Sequence, residues 1–207
     1  LFPFERISPQ DPKRHMLLQY LEFAGHLGVN DPEIRWDIPV SGVHRFQLPE
    51  QYLVLNIGAT KPANKWTTQG FADLARQAEK RFGVRSVLTG GPEDRAMAEE
   101  IVRLGGSGVI NLAGATTVTE LKEVLARAKA VVSCDTGPMH LAVALGREVI
   151  ALFGPADPRR TGPFKGVVIQ KETPCAPCNR RSCDNPVCML AITPADVMER
   201  IEALWSA

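Results

Sequence analysis

The chain has 207 residues, with 24 Lys+Arg against 23 Asp+Glu and a formal net charge of +1, which excludes a global electrostatic case for nucleic acid or an anionic membrane surface. A hydrophobic share of 44% and a charged share of 23% exclude wholesale disorder. The length suits one domain plus extra, or two small ones.

The opening Leu1-Phe2-Pro3-Phe4-Glu5-Arg6 has neither the basic start and apolar core of a signal peptide nor an initiator Met. It suggests an excised or processed fragment, and loss of the Met alone would look the same. No apolar run approaches the roughly 20 residues that cross a bilayer. Asp11-Pro12 predicts a cap and first-turn Pro for a helix running through Met16, Leu17, Tyr20, Leu21 and Ala24 to Gly28. Residues 30–51 are broken by Pro, with short strands expected at 34–38 and 44–48.

From residue 52 the hydrophobic period alternates. Tyr52-Leu53-Val54-Leu55-Asn56-Ile57-Gly58 reads as a buried strand, and Phe71, Leu74, Ala75, Ala78 and Phe82 share one helical face. Strands at 86–91 and 109–112 flank a helix at 96–104. Thr117-x-x-Glu120 is a capping box for a helix carrying Val118, Leu121, Val124, Leu125 and Ala128. A strand at 130–134, a short helix at 137–145, a strand at 149–154 and a sixth at 167–169 follow. Thr193-Pro194-Ala195-Asp196 opens a last helix with Val197, Ile201, Leu204 and Trp205 inward. Continuous apolar strands between amphipathic helices predict an α/β, Rossmann-like doubly wound parallel sheet over residues 51–207. Residues 1–50 form a helical arm or linker, which looks like the remains of a hinge to a second domain.

In such sheets ligands bind at the carboxyl ends of the strands, where the polar and Gly-rich segments of this chain gather. In Asp135-Thr136-Gly137-Pro138-Met139-His140, a capped helix start with Pro in its first turn leaves N–H groups free for a phosphate. The positive helix end favours neutral His140, an N–H donor; the alternative is that Asp135 and Thr136 only cap and His140 is packed. Lys65 could neutralise a leaving phosphate or be an ordinary loop lysine. Glu93, after Gly90-Gly91-Pro92, could accept from ribose hydroxyls or be a first-turn Glu favoured by the dipole. GxGxxG and GxxxxGK[ST] are both missing, which argues against standard dinucleotide and P-loop sites. Arg159, Arg160, Lys165, Lys171, Arg180 and Arg181 are a solvated basic face or a contact for a phosphorylated acceptor or membrane headgroups. Cys134 stands apart from Cys175-x2-Cys178-x4-Cys183-x4-Cys188. Those four fit reduced structural thiols, a tetrahedral zinc site or disulfides, and in each case a structural clasp.

Together, the run Val131-Val132-Ser133-Cys134-Asp135-Thr136-Gly137-Pro138-Met139-His140-Leu141-Ala142-Val143-Ala144-Leu145-Gly146, the segment Ala151-Leu152-Phe153-Gly154-Pro155-Ala156-Asp157-Pro158 and Thr161-Gly162-Pro163 resemble glycosyltransferase family 9, the ADP-heptose:lipopolysaccharide heptosyltransferases. The loop ending Lys65-Trp66 and the stretch from Cys175 to Met189 before Ile192-Thr193-Pro194 resemble that family too. The likeness runs from about residue 50 to the end.

The resemblance implies the C-terminal, donor-binding half of a two-domain GT-B enzyme, with the first 50 residues ending the N-terminal domain and its linker. It implies that Lys65 and the turn from Thr136 through Gly137, Pro138 and Met139 to His140 hold a diphosphate. Thr60 lies in the same phosphate loop, Glu93 takes the ribose, Thr116 lines the nucleoside, and Asp135 binds heptose hydroxyls or orders the turn. It further implies an inverting transfer without cofactor or metal, Lys65 assisting departure of the diphosphate. The general base is expected in the N-terminal domain, so this chain alone would transfer sugar poorly or not at all. The implied partners are ADP-heptose, the lipopolysaccharide core acceptor and the missing domain. The implied place is the cytoplasm, at most peripheral at the inner face of the inner membrane. The competing readings are another GT-B activity (a different nucleotide sugar, or a nucleotide-sugar epimerase) and a non-catalytic nucleotide-binding or zinc-stabilised module.

Overall fold

The computed structural model describes residues 7–42 and 45–205. In chain order the elements are α1 (Met16–His26), β1 (Tyr52–Asn56), α2 (Thr68–Phe82), β2 (Arg85–Thr89), α3 (Arg95–Gly105), β3 (Val109–Asn111), α4 (Val118–Arg127) and β4 (Ala130–Cys134). They continue with α5 (Gly137–Ala144), β5 (Glu148–Phe153), α6 (Pro158–Thr161), β6 (Val167–Gln170), α7 (Val187–Leu190) and α8 (Pro194–Trp205). Short 3-10 turns at Pro62–Asn64 and Pro92–Asp94 precede α2 and α3.

All six strands are parallel, in the order β3-β2-β1-β4-β5-β6. This is the doubly wound Rossmann-like sheet expected for one half of a GT-B enzyme. Alternate residues of each central strand enter opposite cores. Leu53, Leu55, Leu88, Val132 and Ile150 pack with α2, α3 and α8, while Tyr52, Val54, Val87, Val131 and Val149 pack with α4 and α5. Burial on both faces is why these strands read as unbroken apolar runs. Phe71 is fully buried, worth roughly 2–3 kcal/mol of transfer free energy. Tyr52 keeps a polar partner inside: its hydroxyl donates to the Val124 carbonyl at 2.7 Å, and burial pushes its pKa up to about 12.

The caps follow the sequence. Thr117 Oγ1 accepts from the Glu120 N–H at 3.2 Å while Glu120 Oε2 accepts from the Thr117 N–H at 2.8 Å. Thr193 and Asp196 make the same reciprocal pair at the head of α8. Helix α2 stops at Gly83, whose φ of 64° is the left-handed conformation an αL cap needs.

The arm departs from expectation. Helix α1 begins at Met16, because Asp11 closes a local turn instead: its Oδ1 accepts from the Lys13 N–H at 2.8 Å. His15 caps the helix, its Nδ1 accepting from the Leu17 N–H at 3.2 Å while Nε2 donates to the Gly162 carbonyl at 2.9 Å. Residues 34–38 and 45–48 form no strand, and His44 lies outside the described residues. Glu123 on α4 straps the arm instead, accepting from the Ser41 N–H at 2.8 Å, the Ser41 hydroxyl at 2.9 Å and the Gly42 N–H at 3.3 Å. The two Ser41 bonds, its N–H foremost, together with the neighbouring Lys122 ammonium hold the carboxyl down at about 2 against desolvation.

Candidate functional site

Strand order reverses between β1 and β4, so the loops after them diverge and open a crevice. A buried polar network holds its floor. Asn56 Nδ2 donates to Ser133 Oγ at 3.0 Å and to Thr136 Oγ1 at 3.2 Å, and Thr89 Oγ1 donates to Asn56 Oδ1 at 3.2 Å. Because the Thr136 hydroxyl is used in this network, it makes no cap bond to α5. The first-turn N–H groups of α5 therefore face outward without intrahelical acceptors, at the positive end of the helix dipole. Gly137 is exposed, and a Cβ there would meet nothing within 4 Å.

The loop after β1 is fixed from below. Trp66 is buried, its Nε1 donating to the Ile192 carbonyl at 2.9 Å and its ring meeting Phe71 edge-on at 4.9 Å. Gly70 makes room, since a Cβ there would come within 2.6 Å of the indole. Lys65 is thereby aimed at Asp94, with Nζ 2.5 Å from Oδ1. Asp94 is 1% exposed and accepts a second bond, from the Gly91 N–H at 2.9 Å. Its carboxylate lies where a Cβ on Gly58 or Gly90 would come within 2.7 and 2.9 Å, so both positions need Gly.

These pieces surround a cleft of about 640 Å³, within the usual range for small-ligand sites. Thr60, Lys65, Glu93, Thr116, Thr136, Gly137 and Pro138 line it, joined by Arg181 of the basic C-terminal third and by Asn56, Asp94 and Thr117, to which the sequence assigns no role. Glycines 58, 90 and 91 line it as well.

Three expected site residues lie elsewhere. The Met139 side chain is fully buried in the core beneath α5, a correction: facing the sheet, it leaves only its backbone N–H for a ligand. His140 points to the far side of the turn, into a second cavity of about 340 Å³ with His15, Tyr20, Trp36, Arg160, Thr161 and Phe164. Partial desolvation by the surrounding groups holds its imidazole below its ordinary pKa although the residue keeps solvent access, with Asp135 opposing and His15 adding to the effect. Asp135 is half-buried and lines neither cavity, 3.4 Å from Asn64 Nδ2 and 3.3 Å from Thr161 Oγ1. Burial raises its carboxyl pKa, partly offset by His140, Thr161 and Lys61.

The five cysteines are free thiols. Cys188 is buried, Cys183 is intermediate, and Cys175 and Cys178 are exposed. Among the described residues no group of three or more His, Cys, Asp or Glu side chains is placed to hold a metal, so the tetrahedral grouping weighed from the spacing is not formed. The segment docks on the site by backbone: the Ala63 N–H donates to the Arg181 carbonyl at 3.1 Å and the Asn179 N–H to the Pro155 carbonyl at 2.7 Å. The basic residues disperse. Arg159 pairs with Asp157 at 2.7 Å, Lys171 with Asp196 at 2.6 Å, and Arg160 and Arg181 line different cavities. No described helix is long and apolar enough to cross a membrane.

The model of the family "Glycosyltransferase family 9 (heptosyltransferase)" matches residues 2–188, reaching further toward the N-terminus than the motifs did. The lipopolysaccharide core heptosyltransferase OpsX of Haemophilus influenzae is 27% identical over 177 residues, 81% of this chain and 50% of its own length. Lipopolysaccharide heptosyltransferase 1 of Pseudomonas aeruginosa is 30% identical over 193 residues, 80% of this chain and 53% of its own. The solved structure of E. coli ADP-heptose lps heptosyltransferase II superposes with a TM-score of 0.64 at 32% identity, covering 75% of this chain and 46% of that one. The chain thus spans about half the length of the curated relatives it matches.

Proposed function

The chain belongs to glycosyltransferase family 9, and on that footing we propose that its cleft binds the nucleoside diphosphate of an activated heptose, ADP-heptose, for transfer to the lipopolysaccharide inner core. One observation supports this above the rest: Thr60, Lys65, Glu93, Thr116 and the Thr136–Gly137–Pro138 turn, drawn from four separate loops, line a single cleft at the switch point of the sheet.

In this reading the diphosphate sits against the head of α5 and the Thr60 loop, with Lys65 beside it. Glu93 accepts from the ribose, Thr116 borders the nucleoside, and Asp135 orders the turn or meets the sugar hydroxyls. An acceptor hydroxyl attacks the anomeric carbon as its bond to the diphosphate oxygen breaks, inverting that centre. Helix N–H groups and cations stabilise the charge gathering on the departing ADP. The hydroxyl proton goes to a general base, which this reading assigns to a domain beyond the 207 residues, along with most acceptor contacts.

Calorimetric titration with ADP, UDP and GDP tests the donor. Selective ADP binding is the expected result. Preference for UDP or GDP would move the substrate to another nucleotide sugar, and binding without turnover even beside a complementary acceptor domain would favour a non-catalytic module.

A further inference from the structure

The cleft is lined by four charged side chains: Lys65 and Arg181, Glu93 and Asp94. Their formal charges cancel, which is a poor starting point for a ligand carrying two or three negative charges. Lys65 does not change the balance, because its ammonium already lies 2.5 Å from a carboxylate that is almost wholly buried. Neutralised there, it offers little net field to an incoming anion. Arg181 differs: it lines the cleft as an exposed residue, and among the described residues its side chain has no hydrogen-bond or ion-pair partner. Its backbone is held, since its carbonyl accepts from the Ala63 N–H at 3.1 Å, one residue after the 3-10 turn of the phosphate loop begins.

We infer that Arg181 is the uncompensated cation that binds the donor diphosphate, and that the cysteine-rich segment serves the site by delivering it. This rests on the donor reading above. A planar guanidinium presents two parallel N–H donors, the arrangement that grips phosphate oxygens in pairs. Lys65 and the α5 N-terminus set the place of the diphosphate, and Arg181 supplies the net positive charge on the facing wall. The segment carrying it is thus both a clasp between the β1 and β5 loops and one wall of the donor site. Arg180, its neighbour, does not line the cleft and serves as the internal control.

The test is titration of the 207-residue chain with ADP and, separately, with adenosine, at two salt concentrations, for wild type, Arg181→Gln, Arg181→Lys and Arg180→Gln. Thermal melts check that each variant folds. Arg181→Gln is expected to weaken ADP about tenfold or more, the scale of a charge-assisted bidentate contact, and to flatten the salt dependence while leaving adenosine unchanged. Arg181→Lys recovers part of the loss, and Arg180→Gln matches wild type. If wild type binds ADP selectively and Arg181→Gln binds it equally well, the inference falls and the donor reading stands. If Arg181→Gln loses ADP and adenosine alike, Arg181 shapes the wall and the inference also falls. If wild type binds adenosine but gains nothing from the diphosphate of ADP, both fall together.

Discussion

Lys65 and Asp94 are best considered as one unit, because each is the other's compensation. Removing the lysine alone leaves a carboxylate, 1% exposed, without its counter-charge. Lys65→Ala should therefore destabilise the fold by about 3 kcal/mol, seen as a lower denaturant midpoint, in addition to weakening ADP. The double variant Lys65→Met with Asp94→Asn should recover most of the stability, while the part of the ADP affinity that comes from hydrogen bonds of the Lys65 ammonium stays lost. If it recovers both, Lys65 acts only as a structural partner. Lys65 and Glu93 were legible in the sequence because each sits in a loop after an apolar strand. Asp94 was in view beside Glu93, but nothing local marks which of two adjacent acids is buried. That is decided by Lys65, 29 residues away, and by glycines on two loops. Met139 was misplaced for the opposite reason: its neighbours Gly137 and Pro138 are at the site, and one step along a helix turns a side chain by about 100°.

Helix α5 makes the next prediction. Gly137 opens it with no positive φ and with open space where a Cβ would stand. Gly137→Ala should leave stability unchanged or raised by up to about 1 kcal/mol, because Ala suits a helix better, while its methyl obstructs the diphosphate. A melt and an ADP titration on the same sample separate the two effects, and unimpaired ADP binding would move the diphosphate away from this turn. The arm carries a pH prediction. The Glu123 carboxyl titrates at about 2 when folded against 4.5 as its ordinary value, so its bonds to Ser41 and Gly42 stabilise above pH 4.5 and are lost as pH falls toward 2. Protection factors of the Ser41 and Gly42 amides, taken against the unprotected exchange rate at each pH, should fall across that window, and Glu123→Gln should remove that change in protection. The central elements were legible because two-sided burial leaves an unmistakable apolar run and capping is local chemistry. The start of α1 was not, because the choice between Asp11 and His15 is settled by Gly162, 147 residues from His15.

At the scale of the molecule, the polar loops collect along one edge of the sheet, with two cavities on either side of a single turn. The chain spans about half of its curated relatives. The 207-residue chain is expected to bind ADP yet to transfer no sugar from ADP-heptose to a core acceptor by itself, read as release of ADP over time. Robust turnover by the chain alone would place the base within it.

The network of Asn56, Thr89, Ser133 and Thr136 has a kinetic consequence. It joins the ends of three strands through side chains that are already satisfied, so the turn before α5 has its geometry before any nucleotide arrives. Little ordering entropy is left to be lost on association. If the cleft takes a nucleotide as proposed, encounter rather than rearrangement is expected to set the on-rate, and nucleotides of different fit are expected to differ in how long they stay rather than in how fast they arrive.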